Sequence, residues 1–495
     1  MEKKFMKKIF IIFIVFLFLI NCEKEKKQVV PFQSIVEKPK NGTIITVPAN
    51  PNQATGGSTL GDVVPLVSVD TTPNQTEPFT YDTTNTIPVN MTVTDSNGNP
   101  ISPSVVSITD PNQNDAILLQ QVTNPSGTVT GNITVPTTTT TVNVTVSIGG
   151  ATSDPATVPL QVVVNNNGTP TITPVTCIGN VVIPISNPSS NVPPIADRDG
   201  DGIEDSKDAY PDDPTKATKI RFPSTGVNTI AFEDLFPNAG DADLNDYVIQ
   251  FFNEEDLNAK GEIVEVRGAY QHVARGAGYT HKLKLLFPSS VSIQYETSVT
   301  NSAGVAKPST AIYTPTSAQI SAGLEILGDS STTISSPNSN LGQTYAPGDI
   351  SKIKVKFNTP VARSVIGAAP YNIYMNVIST GKDVFFPGKY FDELGNDKFM
   401  DANGFPWAIL VPGIWQWPLE SQDIRNSSVT GYPKFQSWAN SKGLVDKDWY
   451  KTVTTGKVFP IPLEPSSLLA YISNNLPSNM SSISILLVIV GISFG

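Results

Sequence analysis

A chain of 495 residues with 33 Lys and Arg against 44 Asp and Glu carries a formal net charge of −11. That balance argues against nucleic acid and anionic lipid headgroups as partners, since both repel an acidic surface. The length fits roughly two or three domains, and two cysteines, Cys22 and Cys177, leave stability to hydrophobic cores and metal rather than to a disulfide framework.

At the amino terminus Lys3, Lys4, Lys7 and Lys8 form a basic region ahead of an unbroken apolar run, Ile9 to Ile20. The run is too short to span a bilayer comfortably and has the size of a signal-peptide core. It ends in Leu19-Ile20-Asn21-Cys22, which resembles the lipobox of bacterial lipoproteins in the relaxed form, with Asn before Cys, that spirochaetal versions tolerate. The resemblance implies a signal peptide over 1–21, cleavage before Cys22, lipidation of its thiol, and an exported protein held to the membrane by acyl chains. The alternative is a short membrane anchor left uncleaved. Residues 22–64 are Lys/Glu-rich, then rich in Asn, Gly, Thr and Pro with few large apolar side chains, the composition of a flexible tether.

Over 65–165 short alternating segments recur between turn signals, as an antiparallel sandwich requires. The segments 87–94, 105–108, 128–135, 142–148 and 158–164 are the strand candidates, and Asp95-Ser96-Asn97-Gly98-Asn99-Pro100 is a turn. The "DxNGxP" turn and the "GTVTGN" stretch resemble the immunoglobulin-like modules of bacterial surface proteins. No cluster of titratable groups falls here, so the module reads as a spacer or an adhesive unit. A Pro/Asn/Ser-rich stretch, 166–196, reads as a linker, within which Cys177 is a small buried strand residue rather than a nucleophile.

The spacing over 197–208 is calcium chemistry. A hard divalent cation takes six to eight oxygens and suits carboxylates on alternate residues, a glycine at the sixth place for the turn, a carbonyl at the seventh and a carboxylate at the twelfth. Asp197, Asp199 and Asp201 fill places one, three and five, Gly202 the turn, Ile203 the carbonyl, Asp205 the often water-mediated ninth and Asp208 the twelfth. The bland alternative is a solvated acidic turn. Prolines at 211 and 214 stop an exiting helix, so no helix-flanked sensor is formed. The pattern DxDxDGxxDxxDxxPxDP resembles a thrombospondin type 3 repeat over 197–217, which implies a calcium clip that stiffens the join between two domains.

The largest unit is 218–475, with a second acidic group at its start. Glu233 and Asp234 precede Asp241, Asp243, Asn245 and Asp246, which give way at once to a strand beginning near Tyr247. Carboxylates and an amide at the mouth of a strand have the number and hardness of calcium ligands; an Asx-capped turn would use the same letters. Asp392, Glu393, Asn396, Asp397, Asp401 and Asn403 either add oxygens to that group or solvate a long loop, the simpler reading. Strand candidates follow at 263–273, 283–287, 353–357 and 371–377, and a helix is predicted over 433–441 with Phe435, Trp438 and Ala439 on one face. All five tryptophans, Trp407, Trp415, Trp417, Trp438 and Trp449, fall in the late part, where they either pack a core or line a carbohydrate platform.

The stretches "FEDLFP", "GDADLNDYVIQF", "NAKGEIVEVRGAYQHVARGAGYTHKLKLLFP", "NGFPWAILVP" and "YPKFQSWANSKG" resemble the LruC domain, and with the lipobox they make the chain similar to leptospiral lipoproteins of that family. The resemblance implies an envelope lipoprotein with an all-β domain and no established catalysis. Catalytic motifs of the nucleophile-elbow, zinc-helix, phosphate-loop and dinucleotide types do not appear, and His272 and His281 are the only histidines. The apolar tail, 476–495, is too short for a spanning helix and reads as a final strand or a membrane contact.

The expectation is an all-β protein: an immunoglobulin-like sandwich, a calcium loop, then a larger β-sandwich or jelly-roll-like domain with a short helical block. Its function is expected to be calcium binding and non-catalytic binding or adhesion at the outer membrane, with a protein, matrix or glycan partner. A structural role on the inner face of the outer membrane and a carbohydrate-active enzyme are the alternatives.

Overall fold

A computed structural model describes residues 36–37, 44–48, 60–70, 79–166, 169–184 and 196–461, apart from 239 and 277. The signal peptide, Cys22 and the apolar tail lie outside the described residues. Strands dominate and the helices among the described residues are short, so the chain is all-β as expected.

The first module is a sandwich. One sheet runs Ile44–Pro48, Val64–Asp70, Cys177–Val182, Thr84–Thr94, Thr128–Pro136, and the facing sheet runs Ala156–Pro159, Thr141–Ile148, Val105–Asp110, Ala116–Val122. Successive side chains on a strand point to opposite faces. In Thr84–Thr94 that puts Ile87, Val89, Met91 and Val93 into the core, where they join Val142, Val144 and Val146 of the other sheet.

Two segments differ from the sequence reading. The stretch expected as a linker contains Thr169–Pro174 and Cys177–Val182, and the latter lies inside the first sheet, antiparallel to Val64–Asp70 and parallel to Thr84–Thr94. Ile178, Val181 and Ile183 supply its core contacts. The stretch expected as a tether contributes Ile44–Pro48, paired with Val64–Asp70. In both, isolated apolar residues among Pro, Asn and Thr are enough once neighbouring strands provide the ladder. Cys177 is buried, as expected.

The larger domain is built on a long sheet in the order Ala306–Lys307, Ile293–Thr300, Ile350–Val361, Ile263–Ala274, Tyr247–Leu257, Asn228–Phe232, Ala408–Pro412, with Thr218–Phe222 also paired to Tyr247–Leu257. A second sheet, Leu324–Leu327, His281–Leu286, Asn372–Val377, Lys382–Phe385, packs on one face. The central strands are covered on both faces. Ile230, Phe232, Tyr247, Ile249 and Leu410 point to the sheet-on-sheet core, whereas Ala231, Val248, Val273, Ile409 and Val411 point to an aromatic block made from the later chain. That double burial explains why 263–273 alternates only in part: every residue of Ile263–Ala274 is buried.

The aromatic block holds Trp415, Trp417, Trp438 and Trp449 with Tyr432, Phe435 and Phe459. The predicted helix is present as Phe435–Asn440, burying Phe435 and Trp438. All five tryptophans are at most 2% exposed, so they pack cores and offer no carbohydrate platform.

The two modules are in direct contact. Val122 N donates to Ala259 O at 2.9 Å, Gln120 Nε2 to Thr218 Oγ1 at 3.2 Å, and Arg363 Nη1 to Asn132 O at 2.6 Å. The crossing between two strands of the first module, residues 79–83, lies against the larger domain: the Phe79 ring is 5.0 Å from Trp438, the Tyr81 ring is 5.7 Å from Trp438, and Thr83 Oγ1 donates to Leu410 O.

Candidate metal centres

The Asp197–Asp208 loop sits at the seam between the modules. Ile203 is fully buried and packs with Val105 of the first module and Ala217 at the start of the larger domain. Lys207 Nζ reaches Ser147 Oγ and Thr152 Oγ1, and is fixed from its own side by Glu204 at 2.6 Å. Gln120 Nε2 donates to Lys207 O at 3.0 Å. Beyond the loop, Tyr210 OH donates to Asp256 Oδ1 at 2.5 Å.

Within the loop, Gly200 and Gly202 take the left-handed region, with φ of 78° and 97°, which glycine adopts at no steric cost. Their N–H groups donate to Asp197 Oδ1 and Oδ2, while Asp201 N donates to Asp199 Oδ1 and Ile203 N to Asp201 Oδ1. The chain is thereby wound so that one carboxylate oxygen each of Asp197, Asp199 and Asp201 lie within 4.8 Å of one another. Asp199 Oδ2, Asp201 Oδ2 and Asp208 Oδ2 are buried without a hydrogen-bond donor. Burial, with the charges of Asp201, Asp199 and Asp197, pushes the Asp208 carboxyl up to about 6, against the hydrogen bond from Tyr210 N; burial, with Asp199 and Asp197, raises Asp201 against the hydrogen bond from Ile203 N.

Asp205 is not brought into this group. Its Oδ1 accepts from Arg198 N and its Oδ2 from Arg198 Nε, so it braces the loop from outside. The donor set is oxygen only, with three orphan carboxylate oxygens, and it fits a hard cation such as calcium.

The second group is more deeply placed. Glu233 and Asp234 follow the strand Asn228–Phe232, and Asp241 to Asp246 lead into Tyr247–Leu257, its antiparallel partner. Ala242 and Leu244 have φ of 54° and 56°, uncommon for residues with a Cβ. Glu233, Asp241 and Asp243 each offer an oxygen within 4.8 Å of the others. Asp243 is held by Asn245 N at 3.1 Å and by Ser421 N at 2.9 Å, the latter 178 residues along the chain. Glu233 Oε1 has no donor; Oε2 receives Leu244 N at 3.4 Å, and the Glu233 carboxyl faces that of Asp246 at hydrogen-bonding range.

The remaining three residues of that group are used differently. Asp234 Oδ2 faces His281 Nε2 at 2.9 Å, and Asp246 Oδ2 accepts from Asp234 N at 2.9 Å. Asn245 is fully buried; its Nδ2 donates to Pro418 O, and its Oδ1, without a donor, abuts Gly276, where an added Cβ would lie 1.7 Å away. Burial and the neighbouring carboxylates Asp246 and Asp241 push Asp243 up to about 9, and burial raises Asp234 and Asp246 to about 7 each. Glu233 is raised well above its ordinary value by burial and by Asp246, Asp243 and Asp241. Glu420, held by Ser339 Oγ, adds its charge beside Asp243. Neither Glu420 nor Ser421 carries a sequence signal that ties it to the strand mouth.

The loop at 388–404 does not join this group. Asp392 accepts from Leu394 N and Asn396 N, Asp397 from Phe399 N, and Asp401 from Asn403 N and Phe405 N, so each carboxylate organises its own turn. The histidines are buried and satisfied. His272 Nε2 faces Ala274 O at 2.8 Å and Nδ1 meets Thr333 Oγ1, while His281 spends Nε2 on Asp234 and Nδ1 on Ser330. Burial holds both well below the usual imidazole range, His272 at about 3 and His281 at about 4. Four clefts each carry a single carboxylate: Asp110, Asp423, Asp82 and Glu255 respectively.

No curated protein matches this sequence. A solved structure of a Bacteroides ovatus chain, provisionally termed a lipoprotein, aligns over 72% of this chain and 100% of its own with 13% identity and a TM-score of 0.45. That degree of likeness supports no transfer of function. The carboxylates of both centres lie ahead of the stretch that matches a known family, whereas His272, His281, Glu420 and Ser421 lie within it. Residues 261–450 match the profile of DUF4842, a domain of unknown function, and over that stretch the larger β domain is similar to that family.

Proposed function

We propose that this chain is an exported, lipid-anchored envelope protein with a non-catalytic binding role, whose two β modules are held in fixed relation by calcium at the Asp197–Asp208 loop. The observation that carries the reading is the position of the loop. Three carboxylate oxygens without donors, on Asp199, Asp201 and Asp208, gather where Lys207 touches the first module and Tyr210 the second. Like charges this close are costly unless a cation sits among them. Asp197, Asp199, Asp201 and Asp208 would hold the ion by their side chains, with Ile203 offering its carbonyl.

The lipid anchor rests on the basic region, apolar run and Cys22, together with the resemblance to LruC-domain lipoproteins. The outer membrane is the location that resemblance implies. A non-catalytic role is supported by the buried, satisfied histidines and by clefts that each carry one carboxylate. Binding of a protein, matrix or glycan ligand and a purely structural place inside the outer membrane are separated by protease treatment of intact cells, because only a surface-exposed chain is cut.

Two measurements test the proposal. Calorimetric titration of the purified chain with calcium is expected to register binding that Asp199→Asn with Asp201→Asn removes from this loop. Metabolic labelling with a fatty acid is expected to mark the wild type and not Cys22→Ala. A loop that takes up no calcium refutes the clip, and an unlabelled wild type refutes the anchor.

A further inference from the structure

The described residues hold a second carboxylate group whose surroundings differ from the first. Glu233 is fully buried, and Asp243 is 1% exposed. Neither forms an ion pair with Lys or Arg among the described residues, and Asp234 beside them faces only the ring of His281. Elsewhere in the same domain buried acids do find cations: Asp256 and Glu265 meet Arg267, and Glu255 meets Arg363. The protein thus pairs buried carboxylates directly with a guanidinium there and leaves this group without a direct cation partner, Arg425 acting on Glu233 only at longer range.

Two further observations specify what is missing. Glu233 Oε1 is a fully buried oxygen with no donor, in a side chain that converges with Asp241 and Asp243. Their oxygens lie within 4.8 Å of one another, close enough that a small inward movement of the side chains brings all three to the calcium–oxygen distance of about 2.4 Å from one ion. Asp241 is the half-exposed member and leaves a side open to solvent, through which an ion could enter and keep water ligands. Both ring nitrogens of both histidines are engaged elsewhere, so the donors are oxygen alone, which disfavours zinc and copper.

We infer that Glu233, Asp241 and Asp243 form a second, structurally independent site for a hard divalent cation, calcium by its donor set, that ties the strand Asn228–Phe232 and the mouth of Tyr247–Leu257 to the aromatic block through Ser421. The site shares no residue with the Asp197–Asp208 loop and does not depend on it. The competing account is a carboxyl–carboxylate pair, with Glu233 protonated against Asp246 and no metal.

The test is calcium stoichiometry by mass spectrometry of dialysed full-length protein, in three chains: wild type, the loop variant Asp199→Asn with Asp201→Asn, and Glu233→Gln with Asp243→Asn. The inference expects two calcium ions per wild-type chain and one in each variant. It also expects the loop variant to keep a chelator-sensitive melting temperature, a readout that needs no substitution at the buried site. One ion in the wild type and none in the loop variant overturns the inference and leaves the loop proposal standing. One ion in both supports it and removes the loop proposal instead. A loop variant that retains no calcium and melts identically with and without chelator establishes the proton-sharing pair.

Discussion

The strand Tyr247–Leu257 carries acids at both of its ends, and the two ends solve the same problem in different ways. At the far end Arg267 places Nη1 and Nη2 each 2.5 Å from the oxygens of Asp256, with Glu265 at 2.8 Å and Glu254 at 3.2 Å, and Lys216 adds a second cation at 2.8 Å. Burial alone would raise Asp256, but the Arg267 hydrogen bonds and charge, with Lys216 and Tyr210, outweigh it and hold the carboxyl below its usual range. At the near end Glu233, Asp243 and Asp246 lie in comparable burial with no guanidinium paired to them among the described residues, Arg425 acting on Glu233 only at longer range, and every one of them is raised. The difference teaches that burial does not set a carboxylate's charge state; the partner does. One end carries its cation in the sequence, and the other is built to receive one or to stay protonated.

The largest effect is expected from breaking the compensated end. Arg267→Met leaves Glu254, Asp256 and Glu265 facing one another with only Lys216 and the more distant Lys354 paired to them, and removal of one partner from a buried ionic group costs about 3–5 kcal/mol. Urea unfolding monitored by tryptophan fluorescence should show that loss. A loss under about 1 kcal/mol would mean the three acids relax into water or protonate cheaply.

Next in size is withdrawal of calcium. With free calcium about 100-fold above Kd, each site that binds only the folded chain adds about 2.7 kcal/mol. Thermal melting with and without chelator should therefore separate wild type from the loop variant, and Arg267→Met should keep the full calcium response because its centre needs no ion.

A smaller effect is a pH slope in the chelated protein. Asp243 is raised to about 9 and Asp234 and Asp246 to about 7, in the company of Glu233, Asp241, Glu420 and a neutral His281. Unfolded, these carboxyls titrate near 4, so between about pH 4 and pH 9 the folded chain binds more protons. Metal-free stability should then be greatest at low pH and fall as pH rises, by about 1.4 kcal/mol per pH unit for each carboxyl involved. Asp256 works in the opposite sense, its contribution being present above about pH 4 and lost as pH falls. Melting temperatures of the chelated protein at pH 5 and pH 8 decide the sign, and calcium should flatten the slope. The smallest effect belongs to Lys207→Ala, which removes the bonds to Ser147 and Thr152 and should cost about 1 kcal/mol in the same melting assay.

Much of this was readable in the sequence where chemistry is local. The alternate aspartates and the glycines of the loop signal their own geometry, and the strand at Tyr247 follows directly from the acids before it. Other features depend on distant chain. Cys177–Val182 becomes a strand because Val64–Asp70 and Thr84–Thr94 leave a gap between them, which no local pattern among Pro, Asn and Ser announces. Asp234 and Asp246 have the same letters as Asp243 in the sequence, but His281, 47 residues from Asp234, occupies one of the two Asp234 oxygens. Asp205 fits the spacing, and only the fold of Arg198 back over the loop shows that its oxygens are engaged.

The contact of residues 79–83 with the aromatic block has a consequence for the order of assembly. Thr83 bonds to Leu410 across 327 residues of chain. At ribosomal rates of about 5–20 residues per second, tens of seconds separate the emergence of those two partners. Phe79 and Tyr81 must wait, uncovered, while the rest of the polypeptide is made and exported. A truncation that deletes the last part of the chain would therefore strip the aromatic block and, with it, uncover Phe79 and Tyr81 in the amino-terminal sandwich, far from where the cut was made.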